Sequence, residues 1–193
     1  MRSIGAAACA ALVFVGVGGQ AANAFTVNKT PLTSREKNIE TIGTGVAIAL
    51  PLVAGGIAYF KKDNVGIAQL LVESALTVGT AYALKSFVRE QRPNGSDYKS
   101  FPSETTALAA SGSSFLWHRY GWEYGLPAFA MTEFVSYSRV QARQHHWYDT
   151  LASSGIAAGY AWAVGTPFKR RYNLETSIEP AADGGMIRLS YDW

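Results

Sequence analysis

The sequence predicts an all-α fold, a membrane helical bundle of about five to six helices. Hydrophobic residues make up 48% of the 193 residues, and charged residues only 16%. Several uncharged segments approach the ~20 helical residues that cross a bilayer, and they contain glycines, which let membrane helices pack closely. Because the mean hydropathy is only +0.03, a soluble periplasmic helical bundle is the alternative.

The chain begins with the pattern of a secretory signal peptide. Arg2 precedes an apolar run over residues 4–17, and the small-x-small sequence at residues 22–24 follows it, which predicts cleavage after Ala24. An uncleaved first membrane helix is the alternative. The single cysteine, Cys9, lies inside this segment, so the mature chain would have no cysteine for a disulfide or a thiolate site.

Five apolar segments follow, and each is predicted to form a helix. Three are long, over residues 41–60, 65–84 and 151–168, and two are shorter and more polar, over residues 105–117 and 124–137. The expected organisation is a signal peptide over residues 1–24, one helical domain over residues 25–168 and a tail over residues 169–193. From Gly184 onwards the tail alternates like a single strand after a Gly-Gly turn.

The distribution of charge predicts which ends of the helices lie together. Threading the helices in order places residues 85–103 and 138–149 at one end, and the basic pairs Lys61-Lys62 and His118-Arg119 at the other. Short cytoplasmic loops are enriched in Lys and Arg, so the first end is expected to face the periplasm from a bacterial inner membrane. The net charge of +3 comes from separated basic groups, which disfavours nucleic acid as a partner.

Basic residues just beyond the apolar helices predict an anion site. They are Lys85, Arg92, Arg139 and Arg143. Cations at such positions are costly unless an anion compensates them, and arginine forks suit phosphate oxygens. His145 and Asp149 lie four residues apart, where a carboxylate can prepare an imidazole as nucleophile or base.

The sequence predicts no metal and no cofactor at this site. His145 and Asp149 would supply two metal ligands, and a third would have to be His146, which points to another face if this segment is helical. Basic side chains are therefore expected to compensate the charge of the bound anion.

Three spaced motifs give the chain a specific resemblance. They are Lys85 with Arg92-Pro93 in KSFVREQRP, Pro102-Ser103 in PSETT, and Ser138-Arg139 with His145 and Asp149 in SRVQARQHHWYD. In this order and spacing they resemble the signature of the type 2 phosphatidic acid phosphatase family, which also includes bacterial acid phosphatases and vanadium haloperoxidases. The resemblance covers roughly residues 40–168.

The resemblance implies a role for each matching residue. The phosphate-binding residues would be Lys85, Arg92, Arg139 and Ser103, the serine together with a neighbouring backbone amide. His145 would attack phosphorus to form a phosphohistidine, and Asp149 would orient His145. Water would then hydrolyse this intermediate without a metal ion.

The second motif departs from the family pattern. The family sequence is Pro-Ser-Gly-His, so Glu104 replaces the glycine and Thr105 replaces the histidine that acts as general acid. A threonine hydroxyl cannot supply that proton. Three explanations remain open: Glu104 is a substitute acid, the substrate has a good leaving group such as a diphosphate, or the protein binds phosphorylated lipid without turnover.

The expected function is hydrolysis of a phosphate monoester or diphosphate ester of a membrane lipid. The expected partner is thus a phosphorylated lipid in the membrane. The intact set of basic residues around His145 and Asp149 favours retained chemistry. The alternative is a catalytically impaired protein that binds phospholipid headgroups. A vanadate-dependent haloperoxidase is disfavoured by the short chain and the apolar helices.

Overall fold

The computed structural model describes residues 27–168 and the backbone of two strands at 174–181 and 184–191. The predicted signal peptide and its cleavage site lie outside the described residues. Five helices form the described bundle: α1 Ser34–Phe60, α2 Asn64–Phe87, α3 Glu104–Tyr120, α4 Trp122–Gln141 and α5 Trp147–Val164. Each helix overlaps one of the five predicted segments, so the all-α prediction is confirmed for the bundle.

Polar caps extend the helices beyond the apolar segments that predicted them. α1 begins with a capping box, in which the Thr33 hydroxyl accepts from the Glu36 amide and the Glu36 carboxylate accepts from the Thr33 amide. Such a cap satisfies backbone N–H groups that have no partner inside the helix. Hydropathy therefore marks the apolar part of α1 and misses the polar residues with which the helix begins.

α3 lies at the centre of the bundle and packs against the four other helices. Its buried residues are mostly small: Ala107, Ala109, Ala110, Ser111, Gly112 and Ser113. At Gly112 an added Cβ would lie 2.8 Å from the backbone nitrogen of Pro51 on α1. The close approach of α1 to α3 therefore requires glycine at this position.

Two helices have the properties of membrane spans. α1 and α2 are long and apolar enough, by length and composition, to cross a membrane. Their outer faces expose large apolar side chains, among them Ile48, Leu52 and Leu71. Exposed apolar surface of this kind is typical of a face that contacts lipid or another protein, which agrees with the predicted membrane bundle.

The C-terminal region forms a hairpin and not the single predicted strand. β1 (Leu174–Ala181) pairs antiparallel with β2 (Gly184–Tyr191), with Leu174 opposite Tyr191. The prediction missed β1 because its sequence, LETSIEPA, contains two glutamates and a proline, which are depleted in strands. Backbone pairing with β2 outweighs this weak local preference.

A buried ion pair holds the end of the bundle where α1 turns into α2. Asp63 accepts hydrogen bonds from two nitrogens of Arg119 on α3 and, at 2.7 Å, from the Tyr120 hydroxyl. Burial opposes ionisation of Asp63, but the hydrogen bonds from Arg119 and Tyr120 outweigh it and lower the pKa of Asp63 to about 2. Arg119 also donates to Gln69 on α2 and to the Thr166 carbonyl after α5. The pair therefore joins four segments.

Replacing Asp63 with asparagine should lower the free energy of unfolding by about 3 kcal/mol, because it leaves a buried guanidinium without its carboxylate. Since the pKa of Asp63 is lowered on folding, its contribution is fully present above about pH 4 and is lost as the pH falls through about 2. Thermal unfolding in detergent measures the effect. Glu123→Gln, at an exposed carboxylate in the first turn of α4, is the control, and an equal loss in both variants would contradict the role of Asp63.

Candidate active site

Two segments meet at the opposite end of the bundle. The connection between α2 and α3, residues 88–103, lies against the turn between α4 and α5, residues 142–146. A hydrogen bond of 3.3 Å from Arg92 to the Gln144 carbonyl is one of their contacts. The segments that were predicted to lie together do so, and they bring the three motifs to one place.

His145 is buried, and its ring orientation is fixed. The side chain is 2% exposed, and its Nδ1 lies 2.6 Å from the carbonyl oxygen of Ser100. A carbonyl oxygen only accepts hydrogen bonds, so Nδ1 carries the proton and the neutral ring has its lone pair on Nε2. His145 therefore offers Nε2 as a nucleophilic atom.

Asp149 lies next to His145, as the resemblance implies. One oxygen of its buried carboxylate accepts from the Ser100 hydroxyl at 2.6 Å and from the His146 backbone N–H at 2.8 Å. The same oxygen lies 3.6 Å from Nδ1 of His145. The Ser100 carbonyl is thus the nearer partner of the His145 imidazole. The Asp149 carboxylate acts on the imidazole mainly through its negative charge.

Ser100 is a site residue that the sequence analysis missed. It is fully buried, its carbonyl binds His145, and its hydroxyl binds Asp149. Because Ser100 belongs to none of the three motifs and lies in a loop, its sequence context carries no signal of this role.

The prediction that His146 points away from Asp149 is wrong. α5 begins one residue later, and His146 is its N-cap, so helical periodicity does not decide where the ring points. Its Nδ1 lies 3.4 Å from Asp149 and 3.7 Å from Glu90. These three residues could each offer one metal-ligand atom within 4.8 Å of the others. The Glu90 carboxylate also accepts a hydrogen bond from the Tyr148 hydroxyl, so the cluster is built into a hydrogen-bond network.

Lys85 and Arg92 retain donors for an anion. The Lys85 ammonium donates to the Lys99 carbonyl at 2.8 Å, which uses one of its three N–H groups. Arg92 donates to Asp97 at 2.8 Å and to the Gln144 carbonyl, which uses two of its five. The hydrogen bonds found among the described residues therefore leave both cations able to bind phosphate oxygens.

The charges around His145 favour its neutral form. Burial is the main cause that lowers the pKa of His145, and the nearby charges of Arg92 and Lys85 lower it further, whereas the nearby Asp149 carboxylate opposes them. Burial alone would raise the pKa of Asp149, but its hydrogen bonds outweigh that and lower it. A neutral imidazole therefore lies beside an ionised carboxylate, as a histidine nucleophile requires.

Arg139 is more fully engaged than the other two cations. It donates to the Glu40 carbonyl and the Thr44 hydroxyl on α1, to the Gln144 side chain and to the Ser138 hydroxyl. Within the described part of the chain, four of its five N–H groups thus have partners. One N–H group is left for phosphate in this conformation.

α3 begins at the altered motif. Ser103 is its N-cap and is fully buried, and the serine hydroxyl accepts from the Thr106 amide at 3.3 Å. Glu104 follows within 3.7 Å of the Lys85 ammonium, and Thr105 is partly buried. The Ser103 hydroxyl caps the helix, so the first backbone N–H groups of α3 are the donors that this turn offers to an anion.

Comparison with known proteins identifies the family. A sequence profile described as the PAP2 superfamily matches residues 66–172, which is more than half of the chain. The chain belongs to the PAP2 superfamily. The matched range contains all three motifs, so the resemblance derived from them is confirmed.

Two similar proteins extend this result. Over 184 residues the chain is 27% identical to the lipid A 4'-phosphatase of Helicobacter pylori strain J99, covering 88% of this chain and 92% of that protein. It also resembles the crystal structure of Aquifex aeolicus LpxE, with a TM-score of 0.56 and 21% identity, over 67% of this chain and 82% of that one. At 21% identity, the similarity to the Aquifex aeolicus structure shows a shared fold and nothing more. PAP2 membership and the similarity to a phosphatase support the predicted enzyme class, a phosphoric-ester hydrolase.

Ser100→Ala should lower the phosphatase kcat about tenfold, because it removes a hydrogen bond to a charged group and loosens Asp149. The carbonyl that binds His145 remains, so the variant should fold and keep residual activity. Ser96→Ala, at an exposed serine of the same loop, is the matched control. Steady-state kinetics in detergent measure both variants, and an unchanged kcat in Ser100→Ala would contradict the role given to this hydroxyl.

Proposed function

We propose that this protein is a membrane lipid phosphatase that acts through a phosphohistidine at His145 without a metal ion. The observation that carries the proposal is the fixed tautomer of His145: its Nδ1 is held by the Ser100 carbonyl at 2.6 Å, so Nε2 is the free nucleophile. Burial lowers the pKa of the same ring, and the cations Arg92 and Lys85 lower it further and keep donors for the phosphate. These cations compensate the negative charge of the phosphate, a role that a metal ion would otherwise have.

The reaction proceeds in two displacements. The lone pair on Nε2 of His145 forms a bond to phosphorus, the bond from phosphorus to the lipid oxygen breaks, and that oxygen leaves with the electron pair. Lys85 and Arg92 stabilise the charge on the phosphate oxygens, and Asp149 stabilises the positive charge that develops on the imidazole. Water then attacks phosphorus, the phosphorus–nitrogen bond breaks, and inorganic phosphate leaves.

The departing lipid oxygen needs a proton unless it is a good leaving group. Thr105 cannot supply one. Glu104 forms an ion pair of 3.7 Å with Lys85, and this ion pair requires the carboxylate form of Glu104, which has no proton to donate. Glu104 is therefore a poor candidate for the substitute acid. A diphosphate leaving group, or water that reaches the site, fits this turn better.

The first lipid to test is a phosphate monoester of the lipid A class. A relative that is similar over 88% of the chain is a lipid A 4'-phosphatase, and a lipid substrate suits a protein with two span-length apolar helices. We place the site at the periplasmic face of a bacterial inner membrane. The basic residues Lys61, Lys62 and Arg119 support this orientation, because they lie at the end opposite the site.

His145→Ala should abolish single-turnover phosphate release, with a loss of at least about 10³-fold, because no other group can replace the nucleophile. His118→Ala, at a partly buried histidine near the other end of α3, should leave the rate unchanged. Release of phosphate from a lipid A phosphate or a diphosphate lipid in detergent is the measurement. A folded wild-type protein that releases phosphate from neither lipid would contradict the proposal.

A second candidate function is binding of phosphorylated lipid without turnover, which Thr105 favours. The variant Thr105→His separates the two functions, because a restored general acid should speed cleavage of a monoester by about 10²-fold and have little effect on a diphosphate. An inactive wild type with an active Thr105→His variant would support the binding function. Activity in the wild type that depends on His145 would support the phosphatase.

The pH dependence of kcat/KM should have an acid limb with a midpoint below the ordinary histidine value of about 6.5. The nucleophile must be neutral, and burial together with Arg92 and Lys85 lowers the pKa of His145. Activity should therefore rise as the pH passes through this lowered pKa and be complete at pH 7. Asp149→Asn should move the midpoint further down, because the nearby Asp149 carboxylate raises the pKa of His145. A midpoint above pH 7 in the wild type would contradict this account of the site.

A further inference from the structure

We propose that Gln144 is a positioning residue that fixes Arg139 and the turn before His145 against α1, and that α1 is therefore part of the active site. The inference rests on the proposed function, in which Arg139 binds phosphate and His145 attacks it. Gln144 lies within the third motif but is not one of the residues that define it. α1 ends before the range matched by the family, which begins at residue 66.

Gln144 connects the arginines of the site through both its side chain and its backbone. Its Oε1 accepts from the Arg139 guanidinium at 3.1 Å, and its Nε2 donates to the Glu40 carboxylate on α1. Its backbone carbonyl accepts from Arg92 at 3.3 Å, and its backbone N–H donates to the Arg139 carbonyl at 3.1 Å. The residue directly before the nucleophile thus contacts two of the three predicted phosphate-binding cations.

α1 supplies the other half of this arrangement. Glu40 and Thr44 are four residues apart and lie on one helical face. One terminal nitrogen of Arg139 donates one N–H to the Glu40 backbone carbonyl and the other N–H to the Thr44 hydroxyl, the latter at 3.0 Å. Gln144 and α1 therefore hold opposite ends of the Arg139 guanidinium and leave it a single orientation.

One helical turn earlier, α1 also binds the turn itself. Glu36 forms an ion pair of 3.0 Å with Arg143, whose guanidinium donates to the Thr30 carbonyl at 2.6 Å. Arg143 has φ +55, a conformation that residues other than glycine rarely adopt. The contacts to α1 hold the chain in this bend, one residue before Gln144 and two before His145.

This arrangement has a consequence for binding. An arginine that is already held in place loses less conformational entropy when it binds phosphate than one that moves freely. Gln144 is the link between that arginine, the bend of the turn and α1. Without its side chain, Arg139 keeps its contacts to α1 but loses its connection to the turn that carries His145.

Gln144→Ala should therefore raise the inhibition constant of inorganic phosphate and the KM of the lipid substrate by about tenfold, the effect of one lost hydrogen bond to a charged group. The full-length protein in detergent is assayed, and its melting temperature should change little because the residue is partly exposed. Gln141→Ala, the same substitution three residues earlier in the chain, is the matched control and should change neither constant.

A second matched pair of variants tests the contact between α1 and Arg139. Thr44→Val removes the acceptor for Arg139, whereas Thr41→Val removes an equivalent hydroxyl that, like that of Thr44, donates to the backbone four residues earlier. Only Thr44→Val should weaken inhibition by phosphate. An equal effect of the two substitutions would overturn the role of α1.

A double variant separates positioning from a general loss of structure. In the Arg139→Ala background, Gln144→Ala should change phosphate inhibition by no more than about twofold, because the two side chains act together. A full tenfold effect in that background, or tighter inhibition in Gln144→Ala alone, would overturn the inference. A wild type that neither hydrolyses lipid nor binds phosphate would reject the proposed function and the inference with it, whereas an active wild type with an unaffected Gln144→Ala rejects the inference alone.

Discussion

The hydrogen bond between Nδ1 of His145 and the carbonyl of Ser100 joins the two segments from which the site is built. It can form only when the connection between α2 and α3 lies against the turn before α5, and this requires the helices to end at the same level. The small buried residues of α3 let the other helices approach it closely enough for that. One backbone carbonyl then determines the tautomer of the imidazole, and the tautomer determines which nitrogen carries the lone pair.

Charge is balanced around this bond in a way that suits phosphoryl transfer. Burial, helped by the charges of Arg92 and Lys85, favours the neutral form of the His145 ring, whereas the ionised Asp149 carboxylate would stabilise the positive charge that attack creates. In the proposed mechanism the same cations hold phosphate, so substrate binding and preparation of the nucleophile would depend on one set of charges. In the proposed mechanism, Thr105 in place of the family's histidine leaves this balance intact and removes only the proton donor for the leaving group.

The sequence pointed to the motif residues that the structure brings together, and it missed the residues that hold them in place. Lys85, Arg92, His145 and Asp149 could be found because a spaced pattern of residue types carries their chemistry. Ser100 and Gln144 could not, because they act through backbone groups and through contacts between segments far apart in the chain. The orientation of His146 was wrong for a local reason, since residues 145–149 were assumed to be helical, whereas His146 precedes the first residue of α5.

The stereochemical course at phosphorus tests the central claim, that hydrolysis passes through a covalent bond to His145. A lipid substrate whose phosphate is made chiral with oxygen isotopes is hydrolysed in isotopically labelled water, and the configuration of the released phosphate is determined. Two successive displacements, each with inversion, predict overall retention of configuration. Overall inversion would contradict the account, because it would mean that water attacks the lipid phosphate directly.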